Sequence, residues 1–464
     1  MSDPAVGQKL DEENALAGSI GDDFERVRVV MVAACPFPAN HGTPGAIREL
    51  AMHLAAQGHE VHIVTYPQSE DIAIEGLHVH RVRIPFFKPG PITIGPSFER
   101  IIYDILMVPK LIQVILKHKI NIIHAHNYEA NIAGAMAKWV TWRPLIYNGV
   151  TSMADELPSY GGIPAGLARG IGKVLDWVVP RLSNVIMVLS DELKDYLVGL
   201  GNSAEKVLVV PPGVELEWLS SGHGEAVRAK LGIDAKTPIV LYTGALETFQ
   251  RIDYLLQAMA LVCEQDARSI LVIAANVDNS KALNDYRAMV ASLGISDRVK
   301  FIASVPLSEL PDYLDAASVT VVPRPSCPGY PIKLLNYMAA SRAVVSFAGS
   351  AKSLIHGYSG YIAADDDVED LARGISMLIK DPAIAIMLGA RARQSLEGVF
   401  DWGTIASGVA DVYLQLMRKQ KGLSRQSLVR YLKSSYAPTL ENEKKVSDFV
   451  IDGELVYPSF SKTE

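Results

Sequence analysis

The sequence predicts an α/β protein built as two doubly wound, Rossmann-like parallel sheets in two domains. Three observations carry this. A βαβ unit spans residues 27–65. A second series of buried strands and amphipathic helices begins near residue 238. The punctuating run Pro211-Pro-Gly-Val214 lies between the two series. A chain of 464 residues has length enough for two cores.

The elements follow in order. Residues 27–34 are a β-branched run and predict a buried strand. A loop rich in Pro and Gly follows at 35–45. Residues 46–57 place Ile47, Leu50, Ala51 and Leu54 on one helical face, with Gly58 as the stop. Strands are predicted at 60–65, 120–124, 144–147, 184–189 and 206–210. The second series has strands at 238–242, 269–274, 299–302, 319–322 and 343–347. Its helices fall at 253–263, 308–316, 332–340, 368–379 and 383–396, with a last helix at 402–417. The expected domains are 26–212 and 213–400, followed by a helix at 401–420. In such a fold, ligands bind at the C-terminal ends of the strands.

Composition narrows the class. A net charge of -7 gives no electrostatic case for a nucleic-acid partner. Cys35, Cys263 and Cys327 form neither metal spacing nor a disulfide framework, which points to a reducing, cytoplasmic setting. Residues 1–25 read as a flexible acidic tail without the basic and apolar regions of a signal peptide, and 421–464 as a polar tail. No uninterrupted apolar run reaches the roughly eighteen residues of a spanning helix. Residues 101–123 come nearest, broken by Asp104, Pro109, Lys110 and Lys117.

Four segments carry candidate chemistry. The first is His41-Gly-Thr-Pro-Gly45 ahead of a helix, where Gly42, Thr43 and Gly45 let a ligand approach free N–H groups; an ordinary βα turn explains the same residues. The second is Ile122-Ile-His-Ala-His-Asn-Tyr-Glu129, a strand end followed by polar groups. The third is Leu241-Tyr-Thr-Gly-Ala-Leu-Glu-Thr-Phe-Gln-Arg-Ile-Asp253. The fourth is Pro328-Gly-Tyr-Pro-Ile-Lys-Leu-Leu-Asn-Tyr-Met-Ala-Ala340 after the apolar run Ser318-Val-Thr-Val-Val-Pro323.

In these segments the chain resembles retaining glycosyltransferases of family 4, which have the GT-B fold: two Rossmann-like domains facing a central cleft. The resemblance covers most of 26–420. It implies that the last helix returns to the first domain. It also implies that the second histidine of the His-x-His pair, His126, is a catalytic residue touching the transferred sugar, with Asn127 and Glu129 beside it on the acceptor side. The glycine loop of Gly42, Thr43 and Gly45 would lie beside sugar and acceptor.

The donor side departs from the family pattern. The usual loop reads Glu-Gly-Phe-Pro-x-x-x-Leu-Glu-Ala-Met-Ala; here Pro328 and Asn336 stand in place of its two acids. Relatives also carry Gly-Arg-Leu and then Lys-Gly, whose cations neutralise the donor diphosphate. Here Ala245 replaces the Arg, Gln250 the Lys, and Arg251 the Gly. The resemblance places donor binding at Gly244, Gln250, Arg251, Arg324, Gly329, Tyr330, Pro331, Lys333 and Asn336. Arg251 or Arg324, with Lys333, would supply the replacement charge; surface arginines in solvent are the alternative. Asn336 for a glutamate costs ~1–2 kcal/mol by the charged-versus-neutral hydrogen-bond difference.

The expected activity is transfer of a sugar from a nucleotide-diphosphate donor, with retention and without metal or cofactor, to a lipid-linked or polysaccharide acceptor in cell-envelope synthesis. The alternative is a noncatalytic GT-B protein with a degenerate donor site. An epimerase lacks a carboxylate pair, and a nicotinamide enzyme lacks Gly-x-Gly-x-x-Gly after the first strand. Residues 96–119, amphipathic and basic, fit either peripheral contact with the inner membrane surface or a core-packed helix pair kinked at Pro109. Residues 155–158 are a further acceptor-side candidate.

Overall fold

The computed structural model describes residues 26–38, 42–67, 73–83, 98–160, 163–266, 268–275, 280–327, 329–420, 450–451 and 454–455. The expected tails at 1–25 and 421–449, and the candidates His41 and Pro328, lie outside the described residues.

The chain divides into two compact units. One holds the residues up to Gly213 together with the helix Trp402–Gln420; the other holds Val214–Asp401. The first is built on a seven-stranded parallel sheet in the order β3-β2-β1-β4-β5-β6-β7. Its strands are β1 (Arg28–Ala33), β2 (Glu60–Thr65), β3 (Leu77–Arg81), β4 (Ile122–His126), β5 (Leu145–Gly149), β6 (Val185–Val188) and β7 (Val207–Val209). Alternation along β1 sends Val29, Met31 and Ala33 toward the helices Gly42–Ala56 and Trp402–Gln420. Val30 and Val32 face the helices Phe98–Lys117 and Tyr128–Thr141. Both faces are covered, so inner strands such as β1 and β6 read as continuous apolar runs.

The second unit repeats the plan with six parallel strands in the order β10-β9-β8-β11-β12-β13. These are β8 (Ile239–Gly244), β9 (Ile270–Ala275), β10 (Val299–Ile302), β11 (Val319–Val322), β12 (Ala343–Phe347) and β13 (Tyr361–Ala363). Strand order reverses between β1 and β4 in the first sheet and between β8 and β11 in the second. Such switch points are where a doubly wound sheet leaves room for a ligand.

Several expectations need correction. The helix after β1 starts at Gly42, not Ala46, so Gly42, Thr43 and Gly45 form its first turn rather than a loop before it. Gly42 has φ +58, which only glycine adopts without strain. β4 runs on to His126 instead of stopping at His124. Phe98–Lys117 is one helix with Pro109 inside it, not a pair. Among the described residues no helix is long and apolar enough to cross a membrane.

Candidate functional site

In the first unit, β4 delivers His126 to the switch point, with Ala33 at the end of β1 as its register partner. Period-2 geometry puts His124 and His126 on the same face, stacked with ring centroids 4.3 Å apart. Their environments separate their roles. His124 lies deeper, with its Nδ1 hydrogen-bonded to the Tyr413 hydroxyl of the last helix at 2.6 Å, and its Nε2 is buried without a partner among the described residues. His126 sits at the strand end with Nδ1 3.3 Å from Asn148 Nδ2. With Asn148 donating, the His126 proton is assigned to Nε2, which is buried and has no partner among the described residues. Burial pushes the His126 pKa down to about 3, so the ring is a neutral N–H donor at physiological pH.

Around it, Asn127 has φ 73 and starts the helix Tyr128–Thr141 without a side-chain cap. Glu129, in the first turn, lies 3.4 Å from Arg100 of the neighbouring helix. Glu156 of the 155–158 candidate segment is held above the usual carboxylate range by burial, and its carboxylate accepts from the Tyr160 hydroxyl. Gly42, Thr43 and Gly45 are half-buried or exposed in the first turn of their helix.

In the second unit the structure gathers part of the predicted donor set. Lys333, in the first turn of the helix Ile332–Ala339, reaches the end of β8. Its Nζ donates to Tyr242 Oη at 2.7 Å and to Gln250 Oε1 at 2.9 Å. Gly244 has φ +126, a backbone conformation that side-chain-bearing residues rarely adopt, and a Cβ there would also crowd Lys333 Nζ at 3.1 Å. A cation in the first helical turn opposes the helix dipole. Burial first, and Arg324 second, push Lys333 down from the ordinary lysine value to about 7.

Arg324 lies over the Phe249 ring at 4.8 Å and donates to Ser326 O. Arg251 is turned elsewhere: Asp253 accepts from it at 2.9 Å, Asp366 is 3.7 Å away, and it covers the Tyr254 ring. Those acids hold its charge, so Lys333 and Arg324 are the cations grouped at the switch point. The Gly329 amide engages the Cys327 sulfur, Tyr330 Oη meets the Ser353 hydroxyl, and Pro331 caps the helix. Asn336 is one turn on from Lys333 along the same helix face.

Sequence reasoning missed Tyr242, Asn148 and Phe249. Tyr242 and Asn148 lie inside strand runs, where nothing in the pattern marks a polar role. Phe249 could have been found as the one aromatic after the strand in the third candidate segment.

Two family models match in chain order. Glycosyltransferase Family 4 matches residues 42–218, and Glycosyl transferases group 1 matches 224–395. Among curated relatives, a D-inositol 3-phosphate glycosyltransferase of Kineococcus radiotolerans is 26% identical over 428 residues, covering 84% of this chain and 95% of the relative. The protein of that name from Streptomyces avermitilis is 28% identical over 314 residues, covering 65% of this chain and 66% of the relative. Among solved structures, a sucrose-phosphate synthase from Thermosynechococcus elongatus superposes with TM-score 0.71 at 21% identity, covering 84% of this chain and 100% of that one. Anabaena HepE in complex with UDP gives 0.64 at 17% identity, covering 83% and 99%. With both domains matched in sequence order and the two-sheet architecture shared, the chain belongs to the family 4, group 1 glycosyltransferases of the GT-B type.

Proposed function

We propose that the protein transfers a sugar, with retention, from a nucleotide-diphosphate donor to a lipid-linked or polysaccharide acceptor in cell-envelope glycan or glycolipid synthesis. The observation that carries this is the placement of Lys333. The family's lysine is missing at Gln250, yet an ammonium 2.9 Å from Gln250 Oε1 enters from the adjacent helix. It faces the end of β8 at a helix N-terminus, where a diphosphate gains from both the ammonium and free backbone N–H groups. Lys333 and Arg324 would stabilise the departing diphosphate, so the transfer would need no metal. His126 would donate from Nε2 to a sugar hydroxyl and position the reacting carbon. His126→Ala is expected to lower turnover by about 10²-fold while leaving nucleotide affinity nearly unchanged, measured as donor hydrolysis or transfer. An unchanged rate would remove His126 from the site.

The test of the reading is a melting-temperature screen against UDP, GDP, ADP and their common sugars, followed by transfer assays. The acceptor panel includes polyprenyl-linked glycans and D-inositol 3-phosphate, the acceptor in the relatives' names. A ligand at about 100 times its Kd is expected to raise the melting point by roughly 5–10 °C. No shift with any of them would favour the second reading, a noncatalytic binding subunit. One observation does favour that reading: the pairing of Arg251 with Asp253 and Asp366.

For a lipid acceptor, the helix Ala165–Val178 provides a surface. Leu167, Ile171, Val174 and Trp177 recur at helical spacing and are exposed, and Arg169 and Lys173 flank them. On Phe98–Lys117, Ile101 and Ile105 are exposed while Tyr103, Met107 and Leu111 are buried. Apolar faces rimmed by cations suit an anionic bilayer surface. The protein is expected to sediment with vesicles rich in anionic lipid, and Ile171→Glu with Trp177→Glu to abolish it. Binding that survives both substitutions would place the contact elsewhere.

A further inference from the structure

The β3 edge of the first sheet carries a group of imidazoles that the transfer reaction does not use. His62 on β2 is in register with His78 on β3, and Val64 with His80. Alternation therefore puts His62, His78 and His80 on one face, the face covered by the helix Phe98–Lys117. The backbone leaving that helix brings in His118, whose N–H still bonds Val114 O. One ring nitrogen each from His62, His80 and His118 lies within 4.8 Å of the others. His62 is 1% exposed, and His80 and His118 are half-buried.

We propose that His62, His80 and His118 bind one borderline divalent cation, Zn²⁺ first among them, and that the ion ties the β2–β3 edge to the end of the helix Phe98–Lys117. Imidazole nitrogens suit such ions, and three of them with one open position make a tetrahedral site. Zn–N bonds of about 2.0–2.1 Å put ligand nitrogens about 3.3 Å apart. His62 Nδ1 and His80 Nε2 are already 2.9 Å apart, so small ring rotations reach that spacing.

The tautomers are compatible. His62 Nε2 lies 3.0 Å from Glu60 Oε1, which holds the proton on Nε2 and leaves the Nδ1 lone pair for a metal. His80 ligates through Nε2 once its proton sits on Nδ1, with no net proton lost. His78 stacks on His62 at 4.7 Å and is not one of the converging ligands. A solvent-open cavity borders the His80 side of the cluster, with Arg81, Arg83, Lys110 and Gln113 on its wall, and leaves room for a fourth ligand there. Lys110 favours an anion there, hydroxide or chloride.

The experiment is titration of the metal-stripped, untagged full chain with Zn²⁺ by calorimetry, with Co²⁺ absorption as a second readout. The expected result is one equivalent bound with Kd below about 1 µM, a tetrahedral Co²⁺ band, and a melting point raised by roughly 5 °C at a hundredfold excess over Kd. His118→Gln, a half-buried position, is expected to weaken binding at least tenfold, and Glu60→Gln by about 10- to 100-fold. His78→Gln is expected to leave it unchanged. Absence of a stoichiometric site in the wild type, or full affinity in His118→Gln, overturns the proposal.

Discussion

Replacing Lys333 with Met is expected to lower turnover by about 10²- to 10³-fold, the usual cost of losing one preorganised donor at a developing charge. Methionine keeps the length and apolar stem of lysine, so the helix Ile332–Ala339 retains its packing through Leu334, Leu335 and Met338. What disappears is the ammonium between Tyr242 and Gln250. Because Nζ and the Gln250 side chain are in contact, adding Gln250→Lys to Lys333→Met is expected to restore much of the rate from the opposite side. Equal donor affinity and turnover in wild type and Lys333→Met would end the proposal that this lysine replaces the family's.

The same residue sets a pH signature. With Lys333 lowered to about 7, its free form is largely neutral at pH 8. A bound diphosphate favours the ammonium, so binding is expected to take up close to one proton at pH 8 and almost none below about pH 6. Calorimetry in buffers of different ionisation enthalpy measures the uptake, and Lys333→Met is expected to remove it. For the ligand-free protein, the folded value lies below the ordinary lysine value of 10.5. The unfolded chain therefore binds more protons between pH 7 and 10.5, and this group makes stability rise with pH across that window.

Asp176→Ala is expected to destabilise the first unit by about 3–5 kcal/mol, seen as a fall in melting point of roughly 10 °C or more. Asp176 is fully buried. Its carboxylate accepts from Met153 N at 2.8 Å, Ala154 N at 3.0 Å, Tyr196 Oη at 2.8 Å and the Tyr128 hydroxyl. Truncation leaves those donors buried without an acceptor. Gly172, one turn earlier, allows the close approach, since a Cβ there would lie 2.5 Å from Ala154 N. The pair clamps the turn that carries Asp155 and Glu156. Asp176→Asn is expected to cost less, because it keeps one acceptor. A loss below about 1 kcal/mol for Asp176→Ala would show that water replaces the carboxylate.

Much of the fold was legible because parallel strands buried on both faces read as apolar runs. Val319–Val322 and Ala343–Phe347 match their expected bounds for that reason. β3 was not legible: Leu-His-Val-His-Arg is a polar edge strand whose histidines carry no strand signal alone. In the candidate site, His126 was marked by its motif and its place after a strand. Lys333 and Gln250 were placed in one donor set by the family pattern, but their direct contact was not legible, because a helix start and a loop 83 positions away meet only in three dimensions. Arg251 shows the opposite error. Its charge was visible in sequence, but its neutralisation by Asp366 was not. Asp176 was hidden because a carboxylate on an amphipathic helix reads as solvent-facing until its four donors are seen.

Gly213 and Trp402 meet so closely that a Cβ on the glycine would lie 2.4 Å from the indole. Trp402 begins the helix whose Ile405, Val409 and Tyr413 complete one core of the first unit. That unit is thus written in two separated stretches of chain, while the whole six-stranded sheet of the second lies within Val214–Asp401. During synthesis the second unit emerges whole and can close first. The first, though begun earlier, has one apolar sheet face only partly covered, by the helix Gly42–Ala56, until residues 402–417 are made. A chain that stops before the last helix therefore lacks the part of the first core that Trp402, Ile405, Val409 and Tyr413 supply.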